Sequence, residues 1–382
     1  MLRNLKYTDK TLLITSLILF IIGLIMVFSA SNVTAYMSRE VSPYYYVIRQ
    51  AIFIAVGLLI FTPIIFNMKS SSIGGLSWLG ILACIPLLIY LIISNDVRSI
   101  NEANSWIDIG PFNLQPSELV KILTVFWLAS YYHINHKRLN RWGVVLFPIV
   151  VCIFVALLIF KQPDLGTAII YSIIVAAMFF SVPVSPKIKL VTKTLFIGFI
   201  VLIFLFVQSG AIKHVLNERQ MSRIENYKDP CANLLNEGNQ VCNGYIAINN
   251  GGLTGVGLGK STQKYLYLPE PYTDFIFPVL IEELGLISGI IVIILFGIIL
   301  YKILAIGRKA TNNASALMCY GVAIYIFAHI AVNLGTVLGL IPNTGVPLPF
   351  MSYGGSFTIC LIIALAVVQR VAIENKKSKV KD

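Results

Sequence analysis

Long apolar runs are the feature that most limits what this sequence can form. Several of them reach the roughly 20 residues that a helix needs to cross the hydrocarbon core of a bilayer. Of the 382 residues, 57% are hydrophobic and 12% are charged, which excludes a soluble domain. The weak ten-residue alternation of outer-membrane barrel strands is absent from the sequence, so helices are the spanning structure that remains.

The sequence predicts an all-α polytopic membrane protein with ten spans. They cover about residues 11–30, 48–67, 76–94, 117–134, 145–160, 165–182, 191–209, 275–300, 315–337 and 356–371. An even number of spans places both termini on one side, and most of the 29 Lys and Arg residues fall on that side. Because positive loops stay in the cytoplasm, both termini are predicted to be cytoplasmic in a multi-pass plasma-membrane protein.

One integral membrane domain is predicted over residues 1–382. It has a cytoplasmic N-terminus at 1–10, a large extracytoplasmic loop at 210–274 between spans 7 and 8, and a basic cytoplasmic C-terminus at 372–382. The net charge of +12 is therefore explained by the basic residues on the cytoplasmic side and by their contact with anionic lipid head groups. Nucleic-acid binding is not indicated, because no basic stripe is interleaved with stacking aromatics.

The large loop carries cations on the side of the membrane where they are otherwise few. They are Lys213, Arg219, Arg223, Lys228, Lys260 and Lys264. Binding of a phosphate-bearing ligand would explain them, and so would a solvated loop face. The same loop holds Cys231 and Cys242, and oxidising conditions outside the cytoplasm permit a disulfide that staples the loop. A disulfide and two free thiols are both open at this point.

Four segments on the outer side are rich in Pro and Gly and predict a cavity. They are 101–121, 161–167, 210–274 and 340–356. The last is too apolar for a water-exposed loop and too interrupted for a helix. Irregular backbone at membrane depth is tolerated only when it is buried in protein or lines a wet cavity. We therefore predict an outward-facing cavity partly roofed by these segments.

Ionisable residues lie near the outer ends of the predicted spans, where burial is costly unless they are paired or wet. Glu118 and Lys121 are three residues apart and therefore lie on one helix face. This spacing fits a structural ion pair and a catalytic one equally well. Asp164 precedes a predicted helix and is consistent with a cap. Asp274 also precedes one, but capping does not explain the Pro-Glu-Pro-Tyr sequence before it.

Three other sequence patterns give less information about function. Glu282 and Glu283 point about 100° apart on a helix, so at least one is expected to pair between segments. "GVGLGKS" at 255–261 resembles a phosphate-binding loop, but its glycines enclose three residues where the Walker pattern needs four. The four histidines show no metal-ligand spacing, and no Ser-His-Asp or Cys-His arrangement is legible.

Five motifs occur in order along the chain. They are "GLIMVFSAS" (23–31), "QPSELVKI" (115–122), "QPDLGTA" (162–168), "LPEPYTDFIFPVLIEELG" (268–285) and "GVPLPFMSYGGS" (345–356). Together they resemble the SEDS family, the FtsW/RodA proteins of shape, elongation, division and sporulation. "GLGKSTQKYLYLPEP" (257–271) resembles the division-type FtsW branch more closely than the elongation-type RodA branch.

Two segments depart from the family pattern. "EANSW" (102–106) stands where many relatives carry Gly-Ala-Arg-Arg-Trp, so a basic contact is missing there. "EGNQVCNGY" (237–245) replaces the usual Gly-Tyr-Gln pattern and introduces Cys242. Neither departure touches the "TDF" motif at 273–275.

The resemblance implies a peptidoglycan glycosyltransferase that polymerises lipid II on the outer face of the plasma membrane, with Mg²⁺ or Mn²⁺ as a divalent cation. Implied partners are a class B penicillin-binding protein that crosslinks the glycan and other membrane proteins of the divisome or elongasome. Asp274 matches the family's essential aspartate and is assigned as general base, with metal binding as a second role.

The remaining assignments follow from the need to stabilise a departing diphosphate. The candidate diphosphate contacts are Lys121, Arg219, Arg223 and Lys260. The candidate supporting residues are Glu118, Asp164, Glu270 and Glu283, with Pro349, Ser352 and Gly354 shaping the cavity floor. Two alternatives use the same cavity: a lipid II flippase, for which the inverted repeats of transporters are not evident, and a non-catalytic scaffold for the crosslinking enzyme.

Overall fold

The structure is a computed structural model that describes residues 2–94, 105–110, 112–208, 218–227, 229–232, 237–265 and 267–379. In chain order its main elements are α1 (Lys10–Met37), α2 (Tyr45–Asn67), α3 (Ser70–Ile93), β1 (Ile107–Ile109), β2 (Phe112–Leu114), α4 (Pro116–Ile134), α5 (Trp142–Phe160), α6 (Leu165–Ser181), α7 (Pro186–Gln208), α8 (Glu218–Glu225), α9 (Glu237–Gly251), α10 (Ile276–Arg308), α11 (Asn313–Val337) and α12 (Gly355–Ser378). Single turns at Leu2–Leu5 and His136–Arg138 are helical as well, and α2 contains a π-helical turn at Gly57–Phe61.

Each predicted span overlaps one long helix. Within the described part of the chain, seven helices are long and apolar enough to cross a membrane, namely α1, α2, α3, α5, α10, α11 and α12. Helix α6 is apolar but shorter. The predicted all-α membrane architecture is confirmed, whereas the count of ten spans and the membrane side of the large loop stay predictions.

Helices α11 and α12 form the centre of the bundle. Most of their apolar stretches are buried, whereas α3, α5 and α10 bury little more than a quarter of theirs. Large apolar side chains such as Leu59 and Val150 remain exposed. Lipid is as apolar as these side chains, so a membrane helix has no hydrophobic reason to bury them. The polar segments described below are attached mainly to the two enclosed helices.

A short antiparallel hairpin precedes α4, and the sequence analysis did not predict it. Strands β1 and β2 pair Ile107 with Leu114 and Ile109 with Phe112. The hairpin is tied to the start of α12, because Ser356 Oγ donates to the Asn113 carbonyl at 3.0 Å. Strands of three residues are too short to show the alternation that identifies a strand in sequence.

Helix α10 is interrupted at Gly285, which lies within the predicted span at 275–300. Gly285 has φ 81° and ψ 168°, a backbone region that is essentially restricted to glycine. A Cβ at this position would lie 2.2 Å from the Leu253 carbonyl oxygen. The amide of Leu286 donates to the Gly252 carbonyl at 2.9 Å. The break therefore lets the segment after α9 pair with the backbone of α10.

This segment, residues 252–264, is called the latch loop. Ser261 contacts both glutamates of α10, since its hydroxyl donates to Glu282 and its amide donates to Glu283 at 3.4 Å. Lys264 Nζ donates to Glu283 at 2.9 Å, and both side chains are fully enclosed. Ser29 of α1 donates to the same carboxylate at 2.7 Å. Both glutamates thus pair with one loop, although they leave the helix in different directions.

We expect Gly285→Ala to destabilise the protein by about 1–3 kcal/mol, because alanine would be strained at this φ and ψ and would meet the Leu253 carbonyl. The thermal unfolding midpoint of detergent-purified protein, followed by intrinsic fluorescence, measures the loss. Gly297→Ala in the same helix is the matched control, since a Cβ there meets nothing within 4 Å and alanine favours helix. Equal unfolding midpoints for Gly285→Ala and Gly297→Ala would contradict an interruption of α10 at Gly285.

Removal of the latch-loop cation gives a second test. Lys264→Met should cost about 3–5 kcal/mol, because it leaves the buried Glu283 carboxylate without its cation. The double variant Lys264→Met, Glu283→Gln should be more stable than Lys264→Met alone, since no unpaired charge remains. Lys260→Met, at an exposed position of the same loop, is the control and should change stability by less than about 0.5 kcal/mol. A double variant that is less stable than the single one would refute the pairing.

Candidate active site

Asp274 lies in the turn that leads into α10. The N-cap of the helix is Phe275, and no side chain caps it, so capping does not account for Asp274. The aspartate is only 9% exposed. Its Oδ1 accepts hydrogen bonds from Thr273 Oγ1 at 2.9 Å and from Gln240 Nε2 at 3.4 Å. One carboxylate oxygen is thereby oriented, and Oδ2 faces Gly345.

Asn333 of α11 fixes the backbone at this site. Its Nδ2 donates to the Asp274 carbonyl and to the Val346 carbonyl, each at 2.8 Å. Asn333 is fully enclosed, and a buried amide of this kind is costly unless it is hydrogen-bonded. One side chain therefore holds two irregular segments, 267–275 and 340–354, in a fixed relation.

A chain of amides continues from Asp274 across the site. Asn343 Nδ2 donates to Gln240 Oε1 at 3.2 Å, and Asn343 Oδ1 accepts from the Gly345 amide at 3.1 Å. Gly345 has φ 68°, and a Cβ built there would lie 3.9 Å from Asp274 Oδ2 and 4.0 Å from Arg223 Nη1. The exposed Gly345 therefore lies near both a carboxylate and a guanidinium.

A narrow cleft adjoins this space between α8, α9 and the 340–354 segment. Arg223, Asn343, Tyr227 and Tyr245 are among its lining residues. Tyr227 is anchored by donation of its hydroxyl to the Leu340 carbonyl at 2.9 Å. Burial raises the pKa of the Tyr245 phenol above its usual value, and Tyr227 adds to the rise, so this hydroxyl stays neutral near pH 7. The cleft thus offers one cation and several neutral hydrogen-bonding groups.

The predicted diphosphate contacts whose side chains are described lie in different parts of the structure. Arg223 is the one that the structure brings to Asp274. Arg219 lies on the same helix, but its side chain lies outside the described residues. Lys260 is exposed on the latch loop, and Glu270, a predicted supporting residue, pairs with Arg39 at 3.8 Å.

Lys121 does not reach water. Its Nζ donates to Glu118 Oε1 at 2.7 Å, contacts His329 Nε2 at 3.0 Å and lies over the ring of Tyr325. Both members of the ion pair are enclosed. The ammonium group of Lys121 is therefore held inside the bundle by Glu118 and His329, and its role as a diphosphate contact stays a prediction. His329 lies one turn before Asn333 on α11, which places this pair beneath the Asp274 region.

The side chain of Asp164 caps α6, which is one of the two roles that the sequence predicts for it. Its Oδ1 accepts from the Thr167 amide at 3.0 Å, and its Oδ2 accepts from Gln115 Nε2 at 3.1 Å. A Cβ at Gly166 would lie 2.6 Å from the Thr344 carbonyl oxygen. The start of α6 is therefore packed directly against the 340–354 segment.

The rest of the 340–354 segment is held by Gln50 of α2. Gln50 Nε2 donates to the Ser352 carbonyl at 3.2 Å, and Gln50 Oε1 accepts from the Gly354 amide at 3.1 Å. Ser352 Oγ accepts from the Leu348 amide at 2.8 Å, and Pro349 is buried within the same turn. The three predicted floor residues thus belong to one hydrogen-bonded turn.

Cys231 and Cys242 are joined by a disulfide, with Cα atoms 5.0 Å apart. Cys242 lies on α9 two residues after Gln240. Asn243, the next residue, donates to the Tyr267 carbonyl at 3.1 Å. The disulfide therefore staples part of the large loop to the helix that orients the Asp274 carboxylate.

Four residues of this arrangement were not singled out from the sequence: Gln50, Gln240, His329 and Asn333. Three of them interrupt apolar helices, and a polar side chain within a membrane helix is a usable signal of function. Gln240 lay in a segment that was treated only as a departure from a family pattern. Its contact with Asp274 spans 34 residues and depends on how α9 packs against α10.

Known proteins resemble this chain over nearly its whole length. A Bacillus subtilis protein named "Probable peptidoglycan glycosyltransferase FtsW" is 34% identical over 394 residues, covering 99% of this chain and 94% of that protein. The Bacillus subtilis "Stage V sporulation protein E" is 34% identical and covers 95% of this chain and 96% of that protein. A Coxiella burnetii FtsW is 33% identical over 96% of this chain and 97% of that protein.

Solved structures share the fold. A chain from a study of the structural coordination of polymerization and crosslinking by a peptidoglycan synthase complex superposes with a TM-score of 0.73, at 24% identity over 96% of this chain and 97% of that chain. The rod shape determining protein RodA of Thermus thermophilus gives a TM-score of 0.67 at 23% identity, over 96% of each chain. Residues 9–377 match the family described as "Cell cycle protein" that comprises FtsW, RodA and SpoVE. The chain belongs to the FtsW/RodA/SpoVE family of cell cycle proteins.

Proposed function

We propose that this chain is a peptidoglycan glycosyltransferase that polymerises lipid II into glycan strands on the outer face of the plasma membrane, in division or in cell-shape maintenance. Family membership supports the reaction class, since relatives that align along the whole chain carry this name. The observation in the structure that carries the proposal is that Asp274 and Arg223 both lie near the exposed Gly345. A carboxylate and a guanidinium at one opening fit a reaction that moves a proton and releases a diphosphate.

Asp274 is the proposed general base. Joining two lipid-linked sugars requires removal of a proton from the acceptor hydroxyl, and a base must lie within hydrogen-bond reach of it. Thr273 and Gln240 hold Oδ1, so the carboxylate presents Oδ2 toward the opening at Gly345. Asn333 holds the backbone of the same residue, which limits how far the carboxylate can drift. Near-complete enclosure also weakens the competition of water for the acceptor hydroxyl.

Arg223 is the proposed diphosphate contact. Its guanidinium carries a permanent charge and can bind phosphate oxygens in a bidentate manner. Its Nη1 and Asp274 Oδ2 both lie near Gly345, so a diphosphate bound to Arg223 would lie near the base. Arg219, on the same helix, is a second candidate. Lys121, enclosed beneath the site, is proposed to stabilise the start of α4.

A divalent cation, Mg²⁺ or Mn²⁺, is proposed as a cofactor. In the described part of the chain no three His, Cys, Asp or Glu side chains come together, so a cage made wholly of protein ligands does not fit. Mg²⁺ is commonly held by one or two carboxylates together with substrate phosphates and water, and Asp274 fits that role. When bound there, the cation would neutralise charge on the departing diphosphate.

A class B penicillin-binding protein is the proposed partner, along with other membrane proteins of the divisome or elongasome. A structural relative of this chain comes from a complex that coordinates polymerization with crosslinking, which supports the pairing. The proposed topology keeps both termini in the cytoplasm, supported by the positive charge of the connections on that side.

Glycan polymerisation from labelled lipid II tests the function. Purified protein with Mg²⁺ or Mn²⁺, with and without its cognate transpeptidase, should form polymer, and Asp274→Asn should lower the rate by at least about 100-fold, because general-base catalysis contributes that much. Asp108→Asn is the control, since this exposed carboxylate belongs to the outer hairpin and should leave the rate unchanged.

The outcomes separate the alternatives. A folded Asp274→Asn protein that polymerises like the wild type would overturn the role of Asp274. If no condition yields polymer although lipid II binds, lipid II flipping in liposomes replaces polymerisation as the function. If lipid II neither binds nor reacts, the scaffold interpretation remains.

The disulfide gives a further expectation. Reduction, or the double variant Cys231→Ser, Cys242→Ser, should lower polymerisation and increase proteolysis of the large loop, because closing a loop typically contributes about 2–4 kcal/mol. The double variant itself should be insensitive to reductant, since the other described cysteines are buried. Equal loss of activity on reduction in the wild type and the double variant would show that another group is responsible.

A further inference from the structure

A groove on the far side of the bundle from Asp274 is not used by the proposed reaction. It lies between the first turns of α3, the last turns of α4 and the first turns of α5. We call it the aromatic groove after its walls, Trp78, Trp127, Tyr131 and Phe147. The rings follow one another at centroid distances of 4.8 Å, 5.8 Å and 5.9 Å. Its volume of about 340 Å³ falls in the range of about 300–1,000 Å³ that is typical of ligand pockets.

Two glycines create the space. Gly74 allows α3 to approach α4 closely, because a Cβ there would lie 2.1 Å from the Ser130 Cβ. Gly75 is different, since a Cβ there meets nothing within 4 Å. The first glycine is thus explained by helix packing, and the second leaves the groove open without being required by any neighbour.

Basic residues lie in the chain segments next to the groove-lining residues Gly74 and Asn135. The basic rim consists of Lys69, just before α3, with Lys137, Arg138 and Arg141 in the connection from α4 to α5. All four side chains are exposed. Within the described part of the chain none of the four forms an ion pair, and the sequence has no Asp or Glu in 62–80 or 127–147. The carboxylate that lies next to Lys69 is Glu374, which accepts from the Ser70 amide at 3.1 Å and pairs with Arg370 at 3.0 Å.

We propose that the aromatic groove binds one anionic glycerophospholipid, with an acyl chain between the aromatic walls and the phosphate at the basic rim. Basic side chains on the cytoplasmic side occur in membrane proteins generally and would not by themselves indicate a site. Here they lie in the chain segments that adjoin an aromatic groove at the protein surface. An anionic head group complements the four exposed cations, and each cation near a membrane surface favours anionic lipid by about fivefold. This site does not depend on the proposed glycosyltransferase reaction.

Native mass spectrometry of the protein released from mixed nanodiscs tests the site with phosphatidylglycerol and phosphatidylcholine as probes. The wild type should retain one phosphatidylglycerol molecule in preference to phosphatidylcholine. Gly75→Leu should lose it, because the new side chain fills the groove without a clash. The matched control is Gly198→Leu, since Gly198 also has nothing within 4 Å of its Cβ position, on the distant helix α7.

The charge contribution has its own pair of variants. Arg138→Gln, Arg141→Gln should reduce the preference for phosphatidylglycerol by about thirtyfold, as two removed cations predict. Lys187→Gln, Lys189→Gln removes two exposed cations near the start of α7 and should leave it unchanged. Equal retention of the two lipids by the wild type, or retention by Gly75→Leu as in the wild type, would overturn the proposal.

A second measurement tests the same site without Gly75→Leu, in case this variant does not fold. Phosphatidylglycerol brominated on its acyl chain should quench the tryptophan fluorescence of the wild type more strongly than brominated phosphatidylcholine at equal bromine density. Trp78→Phe should reduce the difference, because Trp78 stacks on Trp127 in the groove wall. Equal quenching by the two lipids would contradict a selective site.

Discussion

The two hydrogen bonds donated by the Asn333 amide are the interaction on which the site most depends. They join the carbonyls of Asp274 and Val346, which belong to irregular segments 72 residues apart in sequence. Backbone groups that leave a helix inside a membrane protein need partners from the protein itself, since lipid offers none. Without this side chain, the Asp274 and Val346 carbonyls would lose their hydrogen bonds to α11, the helix at the centre of the bundle.

The same constraint explains the arrangement of the other polar side chains. Gln50 satisfies the turn at 352–354, Asp164 satisfies the start of α6, and Glu282 and Glu283 hold the latch loop against α10. Each is a buried polar group whose partners are irregular backbone or a loop side chain. Most of the conspicuous carboxylates of this chain therefore position structure. Asp274 differs, because its carboxylate lies near the exposed Gly345 and near Arg223.

Sequence reasoning reached the helical membrane architecture, the positions of the long helices, and Asp274 with Arg223 as candidates. It could not place Lys121, because spacing shows that Glu118 and Lys121 share a helix face but not that the face is closed by His329 from α11. It treated α10 as continuous, since one glycine in an apolar run gives no sign of the φ it will adopt. Gln240 was missed because its role depends on a contact between two helices.

The sequence by itself determined that the chain is helical and lies in a membrane, because apolar runs of this length leave no other way to satisfy the backbone. Its ordered motifs also determined the family. Only the tertiary structure decided which charged groups face an opening and which are enclosed, since that depends on the packing of α4, α9 and α10 around α11. It also decided that two glutamates adjacent in sequence bind one loop and that a carboxylate and a guanidinium both lie near Gly345. These relations join residues far apart along the chain, and no local pattern encodes them.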